Sequence, residues 1–388
     1  MKTVKLKSVV KVVMGLSPTG ETYNDIGQGV PLLNGPTEFG ETYPNCTMFT
    51  TDSKRECQKD DLIFCVRGST TGRMNWADKT YSLGRGVCLI RGEENLTTRF
   101  VKYSLDYNLE GLLQVTGGGT FPNLRKPDIE NFEILLPNNF KVIASVLSSY
   151  DDLIENNLKR IKLLEEMAQI TFKEWFIKFK VNGEKLRMKN SLPVGWERKK
   201  IREVCKAFGG GTPSKAVSKF WDKGTITWFS PTDLSKSNSI FQIDSSNKIT
   251  EEGLKNSSAK LLQPNSFMFS SRATIGLFGI VDKPFSTNQG FINVTPIEEF
   301  HKEFLFYNFL SRVDEFKGHA TGSTFPELTK SKFNALDIVF PDDKTLLKFH
   351  LSIKPIHELI GNLSKQNSFL KEARDILLPR LMTGMIEV

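Results

Sequence analysis

The chain has 388 residues, of which 39% are apolar, and a formal net charge of +8 at pH 7. This length is more than one hydrophobic core usually serves, so it favours two domains. No apolar run approaches the roughly 20 residues of a membrane helix, and the N-terminus lacks the apolar segment of a signal peptide. The positive charge is modest support for a polyanionic partner. We therefore expect a cytoplasmic protein that does not enter a membrane.

The cysteines are odd in number and include no C-x-x-C pair: Cys46, Cys57, Cys65, Cys88 and Cys205. Disulfide-stabilised proteins and zinc knuckles need paired cysteines, so the pattern predicts reduced thiols and no bound metal.

An internal repeat starts close to the N-terminus. The segment KLKSVVKVVMGLSPTG is matched by KKIREVCKAFGGGTPSK, which pairs Pro18 with Pro213. Further along, a polar turn and a β-rich run end at Arg67 in the first copy and at Arg272 in the second. The offset between equivalent positions rises only from 195 (213 − 18) to 206 (349 − 143), and the matches keep their order. This regularity indicates duplication of the whole unit.

Each repeat opens with short β-rich runs separated by Gly and Pro, which predicts a mixed α/β domain with a mainly antiparallel sheet. Thr98–Leu109 and Glu303–Val313 are predicted helices at equivalent places in the two copies. The Thr-Phe-Pro-x-Leu turns at Thr120–Leu124 and Thr324–Leu328 are expected to be structural, with the phenylalanine in the core and the proline fixing the bend.

A long helix with apolar residues in steps of four and three closes each repeat. The first is predicted from about Val142 to Phe179, and its equivalent lies 206 residues further on. The seam of the first helix contains Ile143, Leu147, Tyr150, Ile154, Asn157, Ile161, Leu164, Ala168, Thr171 and Trp175. The seam of the second contains Phe349, Ile353, Ile356, Ile360, Leu363, Asn367, Leu370, Arg374, Leu377 and Leu381. Two unrelated amphipathic helices are the alternative, but the repeat extends well beyond them.

The predicted fold class is α/β of the α+β type, with two duplicated domains separated by two long helices in an antiparallel, pseudo-twofold coiled coil. The predicted segments are a first domain at 1–138, a first helix at 139–180, a linker at 181–192, a second domain at 193–342, a second helix at 343–383 and a tail at 384–388.

The asparagines in the two seams select the antiparallel pairing. In a parallel pair at the repeat offset, Asn157 would face Leu363 and Asn367 would face Ile161, which costs about 1–3 kcal/mol for each buried amide. In an antiparallel pair with ends aligned, facing positions sum to 524, and Asn157 and Asn367 meet. The same register places Arg374 beside Tyr150, where we expect the guanidinium to stack on the ring. Two prolines, Pro355 and Pro379, are expected to limit ideal pairing to the stretch between them.

Catalytic motifs are absent from the sequence. It contains no phosphate-binding G-x-x-x-x-G-K-[ST] loop, and Gly27-Gln28-Gly29 lacks the third glycine of a dinucleotide fingerprint. His357-Glu358 could begin a zinc helix, but Gly361 occupies the position of the second histidine. We therefore predict no active site, no metal and no cofactor in this chain.

The sequence does contain residues suited to binding nucleic acid. Arg67 and Arg272, at equivalent strand ends, could each bond guanine O6 and N7 in the major groove, although a structural ion pair is an equal alternative. Lys79 and Lys283, also equivalent, are candidates for phosphate contacts. The loop Gly209–Lys215 offers backbone N–H groups, hydroxyls and an ammonium, as a phosphate site or an ordinary loop. The candidate DNA-binding residues are Arg67, Lys79, Gly210, Thr212, Ser214, Lys215, Arg272 and Lys283.

The duplicated unit, its TGGGTFPNL and TGSTFPEL turns, the LPVGW segment before GGGTPSK, the YDDLIENN helix and the LLPRLMTG close together resemble the specificity subunits of type I restriction–modification enzymes. The resemblance covers essentially the whole chain. It implies two target-recognition domains, each reading one part of a split, asymmetric DNA site, with helices that space them and dock two methyltransferase subunits. It also implies that restriction subunits are further partners, and that S-adenosylmethionine and ATP are bound by the partners.

The sequence leaves three interpretations open. The first is the DNA-reading subunit of a methylation and restriction complex. The second is a stand-alone DNA-binding protein such as a repressor or decoy, and the third is a scaffold that binds only proteins. Salt-dependent DNA binding separates the third from the others. Co-purification with a methyltransferase separates the first from the second.

Overall fold

The computed structural model describes residues 1–115, 122–237, 239–272, 274–322 and 326–388. They form two compact units. Unit 1 comprises Met1–Glu155 and Phe369–Val388, and unit 2 comprises Asn156–Ser368. The division falls within the two long helices and not at their ends. Each unit therefore contains one part of each helix, and unit 1 is discontinuous in sequence.

Unit 1 contains short strands, and helices that follow or lie between them. The strands are β1 (Lys2–Lys5), β2 (Val10–Met14), β3 (Tyr23–Asn24), β4 (Val30–Leu33), β5 (Phe49–Thr50), β6 (Glu56–Cys57), β7 (Leu62–Cys65), β8 (Met74–Trp76), β9 (Tyr81–Leu83), β10 (Val87–Gly92) and β11 (Glu133–Leu136). The helices are α1 (Asn95–Tyr107), α2 (Leu109–Gln114), α3 (Lys126–Glu130) and the first part of α4 (Phe140–Phe172).

The core of unit 1 lies between a sheet of order β2–β10–β7–β8 and the helices. Strand β7 reads Leu-Ile-Phe-Cys and is buried on both faces, which explains its continuous apolar run. Its Phe64 packs in one cluster with Phe100 of α1, Leu147 of α4 and Leu381 from the C-terminal part of the chain. A second sheet, of order β3–β5–β4–β9–β6, adjoins a smaller apolar cluster around Tyr81.

Unit 2 repeats this plan. Its strands are β12 (Lys180–Val181), β13 (Glu184–Lys185), β14 (Met188–Lys189), β15 (Leu192–Pro193), β16 (Glu197–Lys200), β17 (Cys205–Gly209), β18 (Ile226–Phe229), β19 (Asn247–Ile249), β20 (Phe267–Ser270), β21 (Phe278–Ile280), β22 (Phe285–Thr287), β23 (Phe291–Pro296) and β24 (Asp337–Phe340). Its helices are α5 (Ile201–Val204), α6 (Pro231–Lys236), α7 (Glu251–Lys255), α8 (Lys302–Ser311), α9 (Val313–His319), α10 (Lys330–Ala335) and the first part of α11 (Asp343–Met382).

The sheet orders confirm the duplication. The order β17–β23–β20–β21 in unit 2 reproduces β2–β10–β7–β8 in unit 1, and the terminal pair β16–β24 reproduces β1–β11. Each unit also has one parallel pair, β4–β9 and β18–β22, among otherwise antiparallel ladders of the described residues. The helices α1 and α8 lie where the repeat predicts them. Helix α8 is apolar on nearly all sides because it is buried among phenylalanines that include Phe267 and Phe278.

Both long helices are continuous. Helix α4 has 33 residues and is followed by a π-helical turn at Lys173–Ile177, and α11 runs for 40 residues through Pro355 and Pro379. The predicted linker contains two small hairpins, β12–β13 and β14–β15. The predicted turn at Asn182-Gly183 is present, with φ values of 52° and 86°.

All five cysteines are free thiols, and four of them are buried. Burial raises the pKa of Cys57 and Cys205 to about 12, so these thiols stay protonated at neutral pH. None of the helices in the described residues is long and apolar enough to span a bilayer.

Candidate nucleic-acid interface

Two arginines extend from equivalent strand ends. Arg67 follows β7 and Arg272 follows β20, and both side chains are exposed. In each unit the segment after the Thr-Phe-Pro turn is pinned to this strand end, because Leu124 N donates to Val66 O at 2.9 Å and Leu328 N donates to Ser271 O at 2.9 Å. Both leucines are buried. The turns' threonines and phenylalanines (residues 120, 121, 324 and 325) lie outside the described residues, so their predicted structural role stays a prediction.

The partner of the arginine differs between the units. Arg272 Nε lies 2.8 Å from Glu327 Oε1, whereas the residue opposite Arg67 is Asn123, which has no charge. The Arg272 pair is partly exposed, at 46% and 34%, and such pairs contribute only about 0–1 kcal/mol. A phosphate or a guanine edge could therefore displace Glu327 at little cost. The structure thus shows the ion pair that was the alternative for Arg272, but this arginine remains a candidate for DNA contact.

The two candidate lysines are also in different surroundings. Lys79 is exposed, with Nζ 5.6 Å from the centre of the Tyr81 ring. Lys283 Nζ lies 3.6 Å from Asp244, which also pairs with Lys248 at 2.9 Å. Burial raises the pKa of Asp244, but bonds and charges from Lys248, Ser245 and Lys283 outweigh it and hold that pKa below its usual value.

The glycine loop is packed more tightly than a phosphate cradle requires. A Cβ on Gly210 would lie 2.0 Å from Asn288 O, so glycine is needed there for close packing. The N–H of Gly211 already donates to Thr287 O at 2.9 Å, and the Thr212 hydroxyl bonds Gln289 Oε1. Ser214 and Lys215 are exposed, with the Ser214 carbonyl accepting from Trp221 Nε1 at 3.0 Å. Lys215 and the Ser214 hydroxyl are therefore the parts of this loop best placed for a phosphate.

The seam between the helices in unit 2 has the predicted antiparallel register. Asn157 Nδ2 donates to Asn367 Oδ1 at 2.9 Å and to Gln366 Oε1 at 2.9 Å, and Asn157 is fully buried. The neighbouring seam residues Ile161, Leu164, Ile360 and Leu363 pack in one apolar cluster. The buried amide pair confirms that Asn157 faces Asn367, and the two bonds satisfy the Asn157 Nδ2 group, which would otherwise be costly to bury.

The seam within unit 1 departs from the prediction at Arg374. Ile154 is buried, and Tyr150 and Leu370 are half-buried. Arg374 was expected to stack on Tyr150, but its guanidinium bonds Asp151 at 2.5 Å and Asp375 at 2.8 Å, and no cation–π contact between Arg374 and Tyr150 occurs among the described residues. The stacking prediction is wrong because carboxylates one residue away from the seam attract the guanidinium more strongly than the ring does.

Asp151 belongs to a half-buried network that the seam analysis missed. Tyr103 donates to it at 2.5 Å, and Lys102 Nζ lies 3.7 Å away. Burial raises the pKa of Asp151, but Lys102, Tyr103 and Arg374 outweigh it and keep that pKa low. The equivalent contact in unit 2 joins Tyr307 to His357 Nε2 at 2.8 Å. Tyrosines at matching places in the two predicted helices were the signal that could have revealed it.

Acidification should destabilise unit 2 through His357. Burial, the largest cause, lowers the pKa of His357 to about 4, and Lys302 and His350 lower it further while Glu303 opposes them. An unfolded histidine has a pKa of about 6.5, so between about pH 6.5 and 4 the unfolded chain binds a proton that the folded chain does not. Stability therefore falls as the pH falls through this window, by roughly 2 kcal/mol between pH 7 and pH 5.

The variant His357→Gln keeps an acceptor for Tyr307 but cannot titrate, so we expect its stability to fall less between pH 7 and pH 5. Urea unfolding followed by tryptophan fluorescence reports mainly on unit 2, because four of the five tryptophans (Trp175, Trp196, Trp221 and Trp228) lie there. Equal pH slopes for both proteins would contradict this assignment.

Metal chemistry has no support in the described part of the chain, where no cluster of three or more His, Cys, Asp or Glu side chains is arranged to hold an ion. Unit 2 has a groove of about 1050 Å³ between the loop 260–266 and α11. Its walls mix lysines with carboxylates, several of them already paired, as Lys354 is with Glu299 at 3.3 Å. The groove therefore has no dominant charge that would favour one ligand.

Duplicated α+β units, each containing part of both long helices, define a two-unit scaffold. The family model described as the type I restriction modification DNA specificity domain matches the chain twice, at residues 1–166 and 193–349. The chain therefore belongs to this family. The two matches also coincide with the two copies of the internal repeat.

Similar proteins bear related names. The specificity subunit of the type I restriction enzyme MjaIX from Methanocaldococcus jannaschii is 33% identical over 99% of this chain and 93% of that protein. The specificity subunit of the type I restriction enzyme HindI from Haemophilus influenzae is 24% identical over 86% of this chain and 88% of its own length. The crystal structure of a type I restriction–modification S subunit from M. genitalium has a TM-score of 0.63 at 17% identity, covering 98% of this chain and 95% of that one. This likeness supports the fold.

Proposed function

We propose that this chain selects the DNA sequence for a type I restriction–modification enzyme, with each unit reading one half of a split, non-palindromic site. The observation that carries the proposal is the double match to a DNA specificity domain, in two copies that share a sheet frame but differ at the exposed strand ends. Arg67 faces a neutral asparagine, whereas Arg272 faces a carboxylate. Two different reading surfaces on one frame are what an asymmetric bipartite site requires.

The proposed partners are double-stranded DNA, two methyltransferase subunits and restriction subunits. A stripe of exposed apolar side chains on the long helices, separate from the seam, supports docking of the methyltransferase. In unit 2, Leu163, Met167 and Ile170 occupy one face of α4 and are 64%, 47% and 60% exposed. In unit 1, the positions 206 residues later on α11 are Phe369, Ala373 and Ile376, with Phe369 68% and Ile376 47% exposed.

Exposed apolar side chains in steps of four and three fit a partner helix that packs along the stripe. Their repetition at equivalent positions fits two copies of the same partner. Catalysis, S-adenosylmethionine binding and ATP hydrolysis belong, in this proposal, to the partner subunits, and this chain is not itself an enzyme.

The test maps adenine methylation across the genome of the source cell with and without the gene for this chain. We expect one bipartite, asymmetric motif to lose its methylation when the gene is deleted and to regain it on complementation. Unchanged methylation together with salt-dependent DNA binding by the purified chain would favour a repressor or decoy instead. No DNA binding at low salt, by the chain alone or with its methyltransferase, would favour a protein-only scaffold.

A further inference from the structure

A short loop of the globular part contacts a long helix at equivalent places in the two units. In unit 1 the loop is 40–43, and Thr42 O accepts from Trp76 N at 2.9 Å. In unit 2 the equivalent loop is 239–241, and Ile240 O accepts from Ile280 N at 2.8 Å. Since Trp76 and Ile280 end the equivalent strands β8 and β21, the two loops correspond residue by residue.

In unit 1 the loop contacts the helices through charge. Glu41 Oε1 lies 3.0 Å from Lys371 Nζ on α11. The Tyr43 hydroxyl donates to both oxygens of Glu155 on α4, at 2.9 and 3.0 Å. Burial, and then the bond to Glu155, raises the pKa of Tyr43, so its phenol stays a donor across the physiological range.

In unit 2 the same two contacts are made without an ion pair. Glu165 on α4 occupies the position equivalent to Lys371 (371 − 206), and its Oε1 accepts from the Ser239 hydroxyl at 3.2 Å and from Ile240 N at 2.9 Å. Gly361 on α11 occupies the position equivalent to Glu155 (361 − 206), and the ring of Phe241 lies directly against it. A Cβ at position 361 would be 2.8 to 3.1 Å from three ring carbons.

The glycine is informative because glycine is unfavourable inside a helix relative to alanine. The zinc-helix motif considered for this segment does not explain it, whereas the buried Phe241 ring does. Loop residues usually vary in conformation, yet in unit 2 the Ile240 N–H, the Ser239 hydroxyl and the Phe241 ring are all held by two helix positions. The two units thus preserve the place of the contact while changing its chemistry.

We infer that Glu155, Glu165, Gly361 and Lys371 are positioning residues, which fix the angle at which each unit presents its DNA-reading surface from its own helices. The inference rests on the proposed function, since it concerns how accurately each half-site is read. It also predicts an asymmetry between the units. The loop–helix contact of unit 1 should weaken with salt because it includes an exposed ion pair, whereas the contact of unit 2 includes no ion pair among the described residues and should not weaken.

The test replaces Gly361 with leucine in the complex of this chain with its methyltransferase. The leucine side chain must displace Phe241, so we expect discrimination at the half-site read by unit 2 to fall at least tenfold, with the other half-site unaffected. Amide exchange at Ile240 and Gln242 should rise, while exchange in β20 stays slow and shows that the unit is folded. The double variant Gly361→Leu with Phe241→Ala makes room for the side chain and should restore discrimination.

The matched control in unit 1 is Lys371→Glu, which opposes Glu41. We expect a smaller loss, confined to the half-site read by unit 1 and seen only at low salt, that Glu41→Lys reverses in the double variant. If Gly361→Leu speeds exchange in the loop but leaves discrimination unchanged, the contact is structural and the positioning role is wrong. If the natural complex shows no sequence preference at all, the proposed function fails, and that result appears before any variant is made.

Discussion

Exchanging residues 195–340 for the equivalent segment of a relative should replace one half of the DNA target and leave the other half intact. The two ends of the segment lie side by side, because β16 pairs with β24 from Glu197 opposite Phe340 to Lys200 opposite Asp337. Both cuts therefore fall next to a single ladder and leave the sheets and the helix seams whole. Adenine-methylation mapping of the chimera would give its new motif directly.

The reciprocal exchange of residues 1–138 supplies the control, since it should change only the other half. Its ends are joined in the same way by β1 and β11, from Lys2 opposite Leu136 to Lys5 opposite Glu133. For the exchange of residues 195–340, donors should have a small residue at their own position equivalent to Gly361, because the donor's loop replaces Phe241 and must fit against the Gly361 that stays in this chain. Loss of specificity at both half-sites in either folded chimera would show that the units do not read independently.

Inserting one heptad into each long helix at the division between the units should lengthen the unread gap between the half-sites. The insertions fall between Glu155 and Asn156 and between Ser368 and Phe369, so every contact inside a unit is retained. Seven residues add about 10 Å of helix, the length of roughly three base pairs. We expect a preferred gap about three base pairs longer, with both half-sequences unchanged, measured by binding to a series of sites with different gaps.

A chain with the same insertion in α4 alone is the informative control. Its uninterrupted α11 should still determine the distance, so the extra residues loop out and the gap keeps its natural length. Should the double insertion also leave the gap unchanged, the helices do not act as a ruler. A general loss of affinity is expected in the double insertion, because three base pairs also turn the duplex by roughly 100°, but the preferred gap decides the result.

Periodic features were the ones that sequence could predict. The heptad seams, the duplication of the unit and the meeting of Asn157 with Asn367 all follow from spacing along the chain, and the amide pair is present at 2.9 Å. Arg374 shows where spacing stops being sufficient. The heptad pattern pairs only residues within the seam. Asp151, the residue next to the seam residue Tyr150, lies outside that pattern and yet binds Arg374.

Features of the candidate site depend on packing between distant segments, which no local pattern encodes. Tyr43 reaches Glu155 across 112 positions of sequence, and Gly361 is explained only by a ring 120 positions earlier (361 − 241). The sequence alone does not show whether the glycine at position 210 makes room for a phosphate or for a neighbouring carbonyl. In the structure the neighbour is Asn288 O. The assignment of DNA-contacting residues therefore stays a prediction.

The discontinuity of unit 1 has a consequence for its synthesis. Unit 2 is complete in sequence at Ser368, whereas unit 1 takes Leu381 and Met382 into its core and Arg374 onto Asp151. Domains usually fold as they leave the ribosome, N-terminal first, but here the N-terminal unit must wait for residues translated after the whole of unit 2. A premature stop just after Ser368 would therefore leave unit 2 complete but deprive unit 1 of the helix that covers the apolar surface along Ile143 and Leu147.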